Sequence, residues 1–72
     1  MNATALVAED EAILRDELCV HLAALWPELR IVARAANGLE ALQLMDRHRP
    51  DVVFLDIQMP GLTGIEVARQ AE

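Results

Sequence analysis

Seventy-two residues form one domain at most, or a piece of one, since a chain of about this size buries only about 60% of its unfolded surface. With 54% hydrophobic and 25% charged residues and no repeat or low-complexity tract, the composition is globular rather than disordered. A formal net charge of -6 with no lysine argues against this segment gripping a nucleic-acid backbone or an anionic membrane.

No apolar run approaches the ~18 residues of a membrane span, and no basic leader precedes one, so a cytoplasmic location is expected. Cys19 stands alone and cannot form an internal disulfide; within an apolar helical pattern it reads as a small buried hydrophobe.

In chain order, Ala5 to Ala8 is a short apolar run that ends abruptly in Glu9, Asp10 and Glu11. Leu14, Leu18, Leu22 and Leu25 then recur at helical spacing, so a strand followed by a helix is predicted. The acids are expected in that helix's first turn, where its dipole favours them, and Pro27 is expected to stop it just after Trp26. Ile31 to Ala36 reads as a second strand. Asn37 with Glu40 three residues on reads as a cap opening a second helix, with Ala41, Leu42 and Met45 on one face and Pro50 at its end. Val52 to Leu55 is a continuous apolar run, the pattern of a parallel strand covered on both faces, and Asp56 follows it. Residues 57 to 62 form a loop by their Pro60-Gly61 pair, and Thr63 with Glu66 predicts a cap for a third helix. Strands alternating with helices across short connections imply an α/β domain with a parallel sheet.

In such sheets, sites form beyond the carboxyl ends of strands. If the first strand is central, Glu9 and Asp10 end the neighbour of the strand that Asp56 ends, and three carboxylates converge. A divalent cation would offset their mutual repulsion, and oxygen-only donors point to Mg2+. A carboxylate beside such a metal can attack phosphorus to form an acyl phosphate. Taken singly, Glu9, Asp10 and Glu11 are also ordinary helix-start acids, and Asp56 is also an ordinary strand terminator. His21 and His48 lack a second ligand at metal-binding spacing and read as plain helix residues. Gly61 and Gly64 serve a turn, or leave room for a loop beside a phosphate.

Two stretches, Leu6-Val7-Ala8-Glu9-Asp10-Glu11 and Pro50 through Gly64, with Asn37-Gly38-Leu39-Glu40-Ala41-Leu42 between them, resemble the receiver domains of bacterial two-component response regulators. The style of the match also resembles regulators with a LytTR-type DNA-binding domain. The resemblance implies a flavodoxin-like fold, here three parallel strands in the order 2-1-3 with three helices. It implies Asp56 as phosphoacceptor, Asp10 as direct magnesium ligand, Glu9 as a metal-site carboxylate acting through water, and the Gln58 backbone carbonyl as a further ligand. Glu9 departs from the aspartate often found there. Receivers continue through two more strand-helix units that supply a hydroxyl residue, a lysine and an aromatic switch residue. Residues 1–72 are therefore expected to be a partial receiver lacking those units.

The expected function is a phosphoacceptor module, not an enzyme, served by a sensor histidine kinase and controlling an output, most often transcription, with any DNA contact made by a further C-terminal domain. Self-association through an open third strand is expected as well. A non-switching dimerisation module is the alternative. A metal-dependent phosphohydrolase is a weaker one, because Gln58 occupies the position where such enzymes commonly carry a second aspartate.

Overall fold

The structure is a computed structural model that describes residues 2–55 and residue 69. The elements run β1 (Ala3–Ala8), α1 (Ala12–Leu25), β2 (Leu29–Ala35), α2 (Gly38–His48) and β3 (Val52–Leu55). The strands form one parallel sheet in the order β2-β1-β3. Two helices stand among the described residues where three are expected; the helix predicted from Thr63 lies outside them apart from Arg69, which is helical.

β1 is the central strand because Ala5, Leu6 and Val7 have no polar side chain to keep wet on either face. All three are completely buried. The path steps one way from β1 to β2 and back across β1 to β3, so right-handed crossovers put α1 and α2 on opposite faces. Leu6, Ala8, Ala33, Ala35 and Ala41 form the core under α2, with Leu42, Met45 and Val53 packed against it.

β2 starts two residues earlier than its apolar run predicts and carries a bulge. Ala5 pairs with Ile31 but Leu6 pairs with Ala33, leaving Val32 as the extra residue. The bulge explains an odd burial pattern. Leu29 and Ile31 line a groove against α1, while Ala33 and Ala35 join the α2 core, although all four share one parity of position. A single inserted residue moves every later side chain to the other face.

Three expectations are corrected. The acids precede α1 rather than occupying its first turn, which holds none: Glu11 is the N-cap, in an extended conformation that makes no side-chain cap bond. Leu14 and Leu25 are exposed, because the leucine stripe runs along the edge of a buried face centred on Cys19. β3 is half-buried along its whole length rather than covered on both faces, since among the described strands it has β1 alone as a neighbour. Cys19 is buried, as its pattern predicts.

Candidate functional site

β1 and β3 run parallel with Ala8 opposite Leu55 as the last rung. The next residues in the chain are Glu9 and Asp10 after β1 and Asp56 after β3. Asp56 and Gln58 lie outside the described residues, so the structure describes two of the predicted site residues, Glu9 and Asp10, at the carboxyl edge of the sheet.

Glu9 is held from three directions. Its N–H donates to the Ala35 carbonyl at 3.0 Å, carrying the β1–β2 ladder one rung past the strand. Its carbonyl accepts from Arg15 Nη1 at 2.8 Å, a partly buried bond from the first turn of α1. Its Oε1 accepts from the N–H of Glu11, the N-cap of α1, at 3.2 Å, tying the residue before the helix to the acidic loop. Glu9 is half-buried and Asp10 exposed, so the loop offers one anchored and one solvated carboxylate at the sheet edge. Among the described residues no group of three or more His, Cys, Asp or Glu gathers as a metal site; the third carboxylate of the predicted set is Asp56. What is present suits a hard cation, since both side chains offer oxygen alone.

His21 and His48 are exposed helix residues, remote from each other in α1 and α2. The groove between α1 and β2 is lined by Cys19, Val20, Ile31 and Arg34 and includes neither Glu9 nor Asp10. No helix among the described residues is long and apolar enough to cross a membrane.

Sequence reasoning missed Arg15, whose place in the first turn of a helix carries no local signal of a partner. It also missed Thr4 and Asp51, at the opposite end of β1 and β3. The Thr4 N–H donates to Asp51 Oδ2 at 2.8 Å, the Thr4 hydroxyl donates to the same oxygen at 3.2 Å, and the Asp51 N–H donates to Thr4 Oγ1 at 3.1 Å. Forty-seven positions separate the two residues, and no local signal joins them.

Comparison with known proteins decides the family, because the model of the response regulator receiver domain matches residues 5–72. The chain belongs to that family. An uncharacterized response regulatory protein of Vibrio cholerae is 60% identical over 67 residues, covering 93% of this chain and 26% of the relative. The sensory transduction protein LytT of Oceanobacillus iheyensis is 40% identical over 70 residues, covering 97% of this chain and 28% of that protein. The crystal structure of a LuxR-family two-component response regulator from Aurantimonas sp. superposes with a TM-score of 0.89 at 32% identity, covering 99% of this chain and 50% of that one. The receiver chain thus spans about a quarter of the length of these curated relatives. The flavodoxin-like receiver fold with strand order 2-1-3 agrees with the resemblance in sequence.

Proposed function

We propose that this receiver accepts a phosphoryl group on Asp56 from a sensor histidine kinase or a small phosphodonor. The observation that carries the reading is the rung between Ala8 and Leu55, from which the two acidic segments leave neighbouring strand ends. One carboxylate oxygen of Asp56 forms the bond to phosphorus as the bond from phosphorus to the donor's nitrogen or oxygen breaks, and the donor leaves with that electron pair. Mg2+, held by Asp10, Glu9, Asp56 and the Gln58 carbonyl, would neutralise charge on the transferring group. Arg15 and the Ala35 carbonyl keep the Glu9 backbone fixed, so Asp10 is presented from an anchored loop rather than a free one.

Residues 1–72 act on this reading as the amino-terminal part of a cytoplasmic receiver whose output is transcription through a further DNA-binding domain, the kind of regulator that its likeness to LytT favours. Among the described strands β3 pairs with β1 alone, and this half-buried apolar strand gives a second copy an edge on which to pair.

Acetyl phosphate, Mg2+ and mass spectrometry after trapping the acyl phosphate test the assignment. Labelling at Asp56, lost in Asp56→Asn, is expected, together with amide shifts at residues 9 to 11 on titration with Mg2+. Labelling at another residue, or shifts confined to regions remote from that loop, overturns it.

A further inference from the structure

β3 poses a register problem that its own residues do not solve. A strand with one polar and one apolar face is pinned by that alternation, since slipping one residue turns the wrong face inward. Val52-Val53-Phe54-Leu55 has no such alternation: all four are apolar and all four half-buried. Val53 and Leu55 pack on the α2 core in the observed register. A slip by one residue would present Val52 and Phe54 there instead, exchanging apolar groups for apolar groups. Burial therefore selects weakly between registers, yet the register decides how the residue after Leu55 meets those after Ala8.

We infer that Thr4 and Asp51 form a register lock, a pair of positioning residues that sets the alignment of β3 on β1 from the end opposite the acidic site. The ladder runs from Ala5 opposite Val52 to Ala8 opposite Leu55, and Thr4 and Asp51 stand one rung before it. There the side chains take over the bonding. Asp51 Oδ2 accepts from the Thr4 N–H and hydroxyl, and Thr4 Oγ1 accepts from the Asp51 N–H. The exchange is specific to this pairing. Opposite Pro50, Thr4 would find neither a carboxylate nor an N–H. Opposite Val52 it would find an N–H but no side-chain acceptor. A slip in either direction breaks the set, and a slip of one residue moves the strand by about 3.3 Å. The consequence for phosphorylation rests on the reading of Asp56 given above; the lock itself does not.

The test uses the full 72-residue chain with Thr4→Val, Asp51→Ala, Asp51→Asn and the Thr4→Val/Asp51→Ala pair. Metal-free nuclear Overhauser contacts between residues 5–8 and 52–55 report the register. Labelling by acetyl phosphate and Mg2+, normalised to folded protein, reports the consequence. Thr4→Val and Asp51→Ala are expected to add contacts offset by one residue and to slow labelling by at least about 10²-fold, since a misplacement of only about 1 Å already brings that loss. The double variant should be no worse than either single, because both remove one link. Asp51→Asn keeps an acceptor oxygen and should restore both readouts. Thr4→Val, nearly isosteric, decides the matter where Asp51→Ala unfolds. Variants that lose stability but keep the native contacts and the labelling rate per folded molecule overturn the lock. A wild type not labelled at Asp56 overturns the phosphoacceptor reading instead, and the Overhauser contacts still judge the lock.

Discussion

α1 and α2 lie on opposite faces of one sheet, but only α2 is capped by its own side chain and carries charges matched to its ends. Asn37 Oδ1 accepts from the Glu40 N–H at 2.8 Å, and the Glu40 carboxylate reaches back to the Ala36 N–H at 3.2 Å, one residue before the cap. Arg47 and His48 occupy the last turn, where the dipole favours cations; the Arg49 N–H closes the helix on the Met45 carbonyl at 2.9 Å, as the Trp26 N–H closes α1 on the Leu22 carbonyl at 2.8 Å. α1 has no acid in its first turn, no base in its last and no side-chain cap at Glu11. It buries Cys19 and leaves Ile13 and Val20 largely exposed. One helix has a start fixed by its own side chains; the start of the other is held in place by what it touches. The contacts that hold α1, through Arg15 and Glu9, are also those that fix the acidic loop.

The largest effect that would sharpen this contrast comes from the core under α2. Leu6 is fully buried on the central strand, so Leu6→Ala should cost about 2–5 kcal/mol, transfer and cavity together, in denaturant unfolding. Ile13 is 74% exposed on α1, and Ile13→Ala should stay within about 0.5 kcal/mol. A comparable cost at the two positions would mean that α1 packs as deeply as α2 and would end the comparison. Next come the caps. Asn37→Ala is expected to cost about 0.5–2 kcal/mol, while Glu11→Ala, removing a side chain that makes no cap bond, should cost less than about 0.5 kcal/mol. Equal losses in thermal or urea melts would contradict the asymmetry.

The same contrast marks what could be read in advance. α2 was legible because its signals are local: Asn37 and Glu40 stand three residues apart, and Ala41, Leu42 and Met45 repeat at helical spacing. The strand β1 and the span of β3 were legible as apolar runs between acids, a proline and turn residues. The bulge at Val32 was not, because Ile31 and Val32 are both apolar and nothing in composition marks which of them is extra. Nor was the burial of α1, since apolar residues sit on nearly every side of it and spacing picked the leucine edge over the Cys19 face. At the site, the acids of Glu9 and Asp10 were visible, but the anchoring of Glu9 by Arg15 and Ala35 depends on the folded path of β2 and α1. Asp56 and Gln58 rest on the family pattern, as they lie outside the described residues.

The smallest effect concerns the tie between α1 and β2. Arg34 Nη1 meets Asp16 Oδ1 at 3.4 Å, with the two side chains 55% and 67% exposed. Such a pair sits in water on most sides, so its Coulomb attraction is screened and partly offset by the entropy of holding two long side chains in one geometry. A double-mutant cycle with Asp16→Asn and Arg34→Gln should give a coupling of about 0.2–1 kcal/mol, falling as salt is raised. The bridge is also a rim of the α1–β2 groove, and its weakness is consistent with a helix positioned by many small contacts rather than one strong one. A coupling well above that range, insensitive to salt, would show that Asp16 and Arg34 act as a desolvated pair. α1 would then be pinned to β2 by charge, with a specific anchor of its own to set against the caps of α2.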